Sequence, residues 1–218
     1  MSAGRDAGVA VVNSDTRLGV AGQKTTGLEI LEHASPDAIV MPVSSGGHVS
    51  GVWKAIREVR ASGLADDLPR LYLAQAAGCA PVAAAWDRGA DEVTRVEPSG
   101  TVAYSIANAN PPSGSRALAA ARETRGSVLA VDDEAILGCR GLLAELPGRF
   151  VETSCATPLA AARDLAGRGG IAADESVVLI ATGTGYTERD VGDAPTPDPA
   201  VVDIAELPSA FDGAITGD

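Results

Sequence analysis

The segment Ala38–Arg60, AIVMPVSSGGHVSGVWKAIREVR, is the most informative stretch of this chain. Its first part, Ala38 to Val43, is a short apolar run rich in β-branched side chains, which is typical of a parallel strand covered on both faces. Gly46 and Gly47 then predict a turn. Apolar residues follow at spacings of three and four, which indicates a helix with one apolar face. The segment therefore predicts a strand, a glycine turn and a helix in succession.

The turn between this strand and this helix is suited to an anion. Glycine accepts positive φ and lets backbone N–H groups approach a ligand closely. The start of the helix adds unpaired N–H groups and a dipole of about half a positive charge. Ser44 and Ser45 add hydroxyl donors, and His48 and Lys54 are cations close in sequence. The pattern favours a phosphate, and the alternative is a glycine turn that begins a helix for packing reasons alone.

Composition limits the class of protein. The length of 218 residues fits one domain or two small ones. The hydrophobic fraction of 45% is enough for a core. Because no apolar run reaches the roughly 18 residues of a membrane span and the N-terminus lacks a signal-peptide pattern, we expect a cytoplasmic protein without membrane contact. The three cysteines, Cys79, Cys139 and Cys155, are widely spaced, which predicts reduced thiols and neither a disulfide framework nor a metal site.

The charge balance argues against nucleic acid as a partner. The formal net charge is -12, and the sequence shows no basic stripe that could displace counterions from a phosphate backbone. Only two of the 17 basic residues, Lys24 and Lys54, are lysines. This bias predicts a halophilic source, and an ordinary acidic protein is the alternative.

The rest of the chain alternates apolar runs and helical patterns. We predict further strands at 71–76, 128–131, 150–152 and, buried and last, 176–181, and further helices at 26–33, 82–88, 102–108, 116–124, 132–146 and 157–166. This order implies parallel crossovers and a three-layer, doubly wound, mostly parallel α/β sheet. Ligands of such sheets lie at the carboxyl ends of the strands. The glycine turn and the turn at 182–185 are therefore candidates for one pocket.

Six motifs occur in the order found in threonine synthase. They are GQKT at 22–25, PVSSGGHVSGVWK at 42–54, QAAGCAP at 75–81, TVAYSI at 101–106 with Asn110-Pro111, FVETSCAT at 150–157 and ATGTG at 181–185. From about residue 22 to residue 185, the sequence thus resembles the C-terminal half of a fold-type II pyridoxal phosphate (PLP) enzyme of the threonine synthase kind.

The resemblance implies roles for individual residues. In that family the threonine of the final turn faces the pyridine nitrogen of the cofactor, which here corresponds to Thr182. The glycine turn holds the cofactor phosphate, which assigns this role to Ser44, Ser45, Gly46, Gly47 and His48. Two departures concern the substrate. The turn reads Ser-Ser-Gly-Gly-His where the family usually carries asparagines, and Thr153 follows Glu152 in place of the usual proline.

The family's Schiff-base lysine lies in an N-terminal half that these motifs do not include, so no catalytic residue is assigned. We interpret Lys24 and Lys54 as structural or surface residues and expect half of an active site. The predicted divisions are an N-terminal segment at 1–21, the C-terminal part of a PLP-dependent enzyme domain at 22–187, and an acidic, disordered tail at 188–218. An N-terminal half or a second copy is the expected partner, because half a fold exposes apolar surface; a monodisperse, cooperatively melting monomer would contradict this expectation.

Three functions stay open at this point. The resemblance implies a threonine synthase-like enzyme, which converts the small amino-acid substrate O-phospho-L-homoserine and water to L-threonine and phosphate. The alternatives are a non-catalytic PLP- or phosphate-binding pseudoenzyme and another fold-type II PLP enzyme, such as a serine/threonine dehydratase. A nucleotide-binding Rossmann module is disfavoured, because no GxGxxG follows the first strand and no acidic residue lies about 20 positions further on.

Overall fold

Four parallel strands position the helices and the loops of this protein. The computed structural model describes residues 15–146 and 150–188. Within them the strands are β1 (Ala38–Pro42), β2 (Arg70–Ala76), β3 (Ser127–Val131) and β4 (Val177–Leu179), and they lie in the order β3-β2-β1-β4. Ala38 pairs with Arg70 on one side and with Val177 on the other. The predicted parallel sheet is confirmed.

Helices cover both faces of the sheet. They are α1 (Arg17–His33), α2 (Gly47–Ala61), α3 (Pro81–Asp87), α4 (Gly114–Glu123), α5 (Asp133–Ala144) and α6 (Thr157–Gly167). Because successive strand side chains point to opposite faces, Ile39 and Met41 pack in one core with α2, α3 and α4, whereas Val40 packs in the other with α5 and α6. The three-layer architecture is the one predicted.

Helix α1 begins earlier than expected. The helix was predicted from residue 26, but it begins at Arg17, where the Thr16 hydroxyl accepts a hydrogen bond from the Gly19 N–H at 3.1 Å. Packing against α2 explains the difference. A Cβ on Gly27 would lie 2.7 Å from the Ala55 Cβ, and one on Gly51 would lie 2.9 Å from the backbone of residue 23. Two glycines thus bring α1 against α2.

Three shorter predictions were wrong in extent. The strand predicted at 150–152 is a single antiparallel bridge between Val151 and Thr184. The helix predicted at 102–108 is one 3-10 turn, Tyr104–Ile106. The last strand was expected to be buried, but β4 is three residues long and Leu179 is 37% exposed, because β4 lies at the edge of the sheet. Of the acidic tail predicted at 188–218, only Glu188 belongs to the described residues.

The described part of the chain contains no helix that is long and apolar enough to cross a membrane. Among the same residues, no group of three or more histidine, cysteine or acidic side chains is arranged to hold a metal ion. The three cysteines are buried as free thiols.

Gln75 is a fully buried polar residue that joins the sheet to the helical layer. Its side-chain Nε2 donates to the Val43 carbonyl at 3.3 Å, directly before the glycine turn. Its Oε1 accepts the N–H groups of Val82 at 2.8 Å and Ala83 at 3.2 Å, in the first turn of α3. One carboxamide therefore caps α3 and fixes the residue from which the glycine turn departs.

Replacing this carboxamide by an apolar side chain tests its structural role. We expect Gln75→Leu to lower the free energy of unfolding by about 3 kcal/mol, because it leaves two buried N–H groups without an acceptor. Urea denaturation measures the change. Glu134→Gln, at an exposed position in α5, is the control and should change stability by less than about 0.5 kcal/mol. An unchanged midpoint for Gln75→Leu would contradict the assigned role.

Candidate functional site

The turn between β1 and α2 requires glycine at position 46. Gly46 has φ of 86° and lies in the left-handed region, directly before the first residue of α2. A Cβ on Gly46 would lie 2.6 Å from the carbonyl oxygen of Ser113. The loop before α4 supports the turn from behind, because the Ser113 N–H donates to the Ser45 carbonyl at 2.9 Å. Conformation and close contact together exclude a side chain here.

The turn presents backbone donors without acceptors. Within the described residues, the N–H groups of Gly46 and His48 have no hydrogen-bond partner, and that of Gly47 reaches only the Ser45 hydroxyl, at 3.4 Å. The N-cap residue of α2 is Gly46, which has no side chain to cap the helix. Since the helix dipole adds partial positive charge at the same place, the turn is suited to an anion such as phosphate.

A cavity of about 640 Å³ lies at the carboxyl edge of the sheet, in front of this turn. Its volume falls within the range of roughly 300–1,000 Å³ that is usual for small-molecule sites. Its wall includes Gln23, Thr26, Pro42, Ser44, Ser45, Gly46, His48, Val49, Ser105, Ile106, Glu152, Ile180, Ala181 and Thr182. The glycine turn and the turn at 182–185 thus line one cavity, as predicted, although they are far apart in sequence. Of the six residues expected to contact the cofactor, only Gly47 is absent from the wall.

His48 contributes an imidazole to the wall beside the turn. Its Nε2 lies 3.2 Å from the hydroxyl oxygen of Thr26 on α1. Burial lowers the pKa of the His48 imidazole below its ordinary value, because a charged ring loses hydration there. The ring is therefore neutral at neutral pH and acts through hydrogen bonds rather than through charge, unlike the cation that the sequence suggested.

The opposite wall carries groups that the sequence did not single out. Glu152 is held by two hydroxyl groups, with its Oε1 3.0 Å from Ser105 Oγ and its Oε2 3.2 Å from Thr187 Oγ1. On the α1 side, the buried Oε1 of Gln23 has no donor among the described residues. Gln23, Ser105 and Glu152 lie within three of the six motifs that resemble threonine synthase, and this resemblance was the available signal. The sequence alone does not show that these three side chains line one cavity.

Neither lysine lines this cavity. Lys24 Nζ lies 2.7 Å from the Glu58 carboxylate, and Lys54 Nζ lies 2.5 Å from the other oxygen of the same carboxylate. Both ammonium groups lower the pKa of Glu58 through hydrogen bonds. The positions of the two lysines agree with their interpretation as structural residues.

A second cavity, of about 570 Å³, lies at the amino ends of the strands. Its wall is mainly polar and includes Asp37, Arg60, Arg70, Arg125 and Glu175. The Arg70–Glu175 ion pair and the bonds between Asp37 and Ser176 fasten the strand starts together there. None of the predicted site residues lies at this cavity, so the cavity at the carboxyl edge is the candidate site.

A parallel sheet between two helical layers, with a cavity at the carboxyl ends of the strands, defines an α/β protein of the open-sheet class, in which ligands usually bind at that edge. Comparison with protein families makes the assignment specific. Residues 3–183 match the family described as pyridoxal-phosphate dependent enzyme, and the chain belongs to that family.

Individual relatives are similar over much of the chain. A threonine synthase from Methanosarcina acetivorans is 37% identical over 210 residues, which are 95% of this chain and 50% of that protein. A threonine synthase from Methanocaldococcus jannaschii is 33% identical over 185 residues, or 84% of this chain and 46% of that protein. The chain therefore spans about half the length of these curated relatives. The predicted resemblance to threonine synthases is confirmed over most of this chain.

The fold has counterparts among solved structures. The processed form of threonine deaminase isoform 2 from Solanum lycopersicum matches with a TM-score of 0.70 at 20% identity, over 84% of this chain and 51% of that one. At this identity the likeness shows the fold, and it confirms the predicted fold-type II PLP enzyme architecture.

The groups around the cavity fit PLP. Its phosphate matches the N–H groups of Gly46 and His48, which have no hydrogen-bond partner within the described residues, and both residues line the cavity. Its ring nitrogen needs a polar partner, for which Thr182 presents a hydroxyl on the same cavity wall. The apolar wall residues Val49, Ile106 and Ile180 suit the aromatic ring.

The buried imidazole predicts a specific pH dependence of stability. Because the pKa of His48 is lowered in the folded state, the unfolded chain takes up more protons as the pH falls below about 6.5, and the free energy of unfolding decreases. His48→Gln removes this dependence. Urea denaturation at several pH values between about 7 and 5 should show that the free energy of unfolding of the wild-type chain decreases relative to that of the variant. Two parallel curves would contradict the burial assigned to His48.

Proposed function

We propose that this chain supplies the phosphate- and ring-binding part of the PLP site of a threonine synthase-like enzyme. The reaction proposed for the assembled site is the conversion of O-phospho-L-homoserine and water to L-threonine and phosphate. The identity to curated threonine synthases supports this choice of reaction.

One observation carries the proposal. The unpartnered N–H groups at the start of α2 and the Thr182 hydroxyl line the same cavity. A helix start alone accepts many anions. A hydroxyl in the wall of the same cavity adds the second contact that an aromatic phosphate ester with a ring nitrogen requires.

The residues of this chain then have separate tasks. The N–H groups of Gly46, Gly47 and His48 bind the phosphate, and the hydroxyls of Ser44 and Ser45 add donors. Thr182 orients the ring through its hydroxyl. Val49, Ile106 and Ile180 exclude water from the faces of the ring, which strengthens every polar contact inside the cavity.

When bound, PLP supplies an electron sink that stabilises a carbanion at the substrate. Such chemistry also needs a lysine amine to carry the cofactor and to move protons. Because Lys24 and Lys54 both pair with Glu58 outside the cavity, we propose that a lysine from another chain or segment completes the site. This requirement makes the N-terminal half of such an enzyme the proposed partner.

A second candidate is a chain that binds PLP or phosphate without catalysis. The observation that favours it is the same pair of lysines, since neither lines the cavity. The two candidates differ when the chain is mixed with an N-terminal half of a threonine synthase in the presence of PLP. Release of inorganic phosphate from O-phospho-L-homoserine supports the first candidate, and PLP binding without such release supports the second.

Binding of PLP by the chain alone tests the phosphate-binding turn. We expect saturable binding, followed by fluorescence titration, and we expect Gly46→Ala to weaken it at least tenfold, because the methyl group meets the Ser113 carbonyl and moves the donors. Gly63→Ala is the matched control, since Gly63 also has positive φ, of 69°, but has no atom within 4 Å of an added Cβ. Gly63→Ala should change the dissociation constant for PLP by less than about twofold.

Equal affinities of the two alanine variants would contradict the proposal. Borohydride reduction of the PLP complex adds an independent readout. Cofactor fixed to Lys24 or Lys54 would show that one of these lysines, and not an additional one, reaches the site.

A further inference from the structure

The sulfur of Cys155 lies directly behind the turn that carries Thr182. Its Sγ accepts the backbone N–H of Thr182 at 3.1 Å and that of Gly183 at 2.9 Å. It also lies 3.4 Å from Thr182 Oγ1 and 3.7 Å from Glu152 Oε1. Cys155 is 3% exposed, so these four contacts account for the polar surroundings that are described for its thiol.

The number of hydrogen bonds at this sulfur determines their direction. A thiol sulfur has two lone pairs and one hydrogen. The two backbone N–H groups occupy both lone pairs, so Thr182 cannot also donate to the sulfur. Two arrangements remain. Either the S–H group donates to Thr182 Oγ1, or it donates to Glu152 and makes no hydrogen bond to the Thr182 hydroxyl. In either case, the hydrogen of the Thr182 hydroxyl is not used by Cys155.

Nothing else within the described residues accepts that hydrogen. Thr182 Oγ1 has no further hydrogen-bond partner there, and Thr182 is exposed to the cavity that it lines. The backbone bonds to the sulfur also fix the place of residues 182 and 183 relative to the last 3-10 turn before α6, Thr153–Ala156. The position of the Thr182 turn thus depends on one side chain, and that side chain does not accept the hydrogen of the Thr182 hydroxyl.

We infer that Cys155 is a positioning residue, which holds the Thr182 turn and leaves the Thr182 hydroxyl to donate its hydrogen into the cavity. This inference rests on the proposed function, since it concerns the contact that Thr182 makes to an aromatic ring nitrogen. The favoured ligand is one whose ring nitrogen is an acceptor at that point.

The surroundings of the thiol keep it in the form that this role requires. Burial is the main effect on Cys155 and raises the pKa of its thiol above the ordinary value, and the nearby Glu152 carboxylate acts in the same direction. The thiol therefore keeps its hydrogen at neutral pH. A thiolate would have a third lone pair, would accept from the Thr182 hydroxyl and would turn the hydroxyl hydrogen away from the cavity.

Two phosphate esters separate the ring contact from the phosphate contact. In 3-pyridylmethyl phosphate, the ring nitrogen and the phosphate-bearing carbon have the same relative placement as in PLP, and benzyl phosphate lacks the nitrogen. Neither ester carries an aldehyde, so neither reacts with a lysine. Competition with PLP should show the pyridyl ester binding about fivefold tighter than the benzyl ester, as expected for one neutral hydrogen bond of about 1 kcal/mol.

The variants then show whether Cys155 governs this preference. Cys155→Ala should abolish the preference for the pyridyl ester, as should Thr182→Val. Cys155→Ser should retain it, because a hydroxyl also has two lone pairs and one hydrogen. Combining Cys155→Ala with Thr182→Val should have no further effect on the preference, since both changes act on the same contact.

Cys139→Ala is the matched control for removal of a buried thiol, because Cys139 lies on α5 and is also almost fully buried but does not line the cavity. It should leave the preference unchanged. A merely structural effect of Cys155→Ala would weaken both esters equally and leave the preference intact, and this result would overturn the inference. So would equal binding of the two esters by the wild-type chain.

The failure of this inference is distinguishable from the failure of the proposed function. If PLP binds in a manner that depends on Gly46 while Cys155→Ala keeps the pyridyl preference, only the role of Cys155 is wrong. If the chain binds neither ester and does not bind PLP, both proposals are overturned.

Discussion

The left-handed conformation of Gly46 is the constraint on which the site depends. It ends the central strand β1 and begins α2 within four residues, and it aims the first N–H groups of α2 at the carboxyl edge of the sheet. No side chain fits there, because the Ser113 carbonyl is in contact with the turn. The place of the anion-binding groups is therefore set by backbone geometry, which does not depend on the rotamers of flexible side chains.

Buried polar side chains hold this backbone in place from neighbouring elements. Gln75 connects the residue before the turn to the start of α3, and Cys155 connects the Thr182 turn to the segment before α6. Both groups are buried, so an unmade hydrogen bond at either place costs more than a made one contributes. The cavity is thus bounded by two loops, each fixed from behind by one side chain, with an apolar wall between them.

Local features of the fold could be predicted from the sequence, and features that depend on distant contacts could not. The strand, turn and helix at 38–60 follow from apolar periodicity and two glycines, and the meeting of the two turns follows from parallel strand order. The length of α1 was missed because Gly27 and Gly51 act through packing between helices. The exposure of Leu179 was missed because an apolar run does not show which strand lies at an edge. Cys155 contacts residues that lie 27 and 28 positions away in sequence, and Gln75 contacts Val43, 32 positions away. No local pattern marks these contacts.

The central claim is that the backbone of the glycine turn holds the phosphate of PLP. The most direct test follows the amide ¹H–¹⁵N resonances of the isotope-labelled chain by NMR during titration with PLP. The account predicts that the amides of Gly46, Gly47 and His48 move most, while those of Asp37 and Arg125 at the opposite edge of the sheet stay in place. Shifts concentrated at the amino ends of the strands, with the glycine turn unchanged, would contradict it.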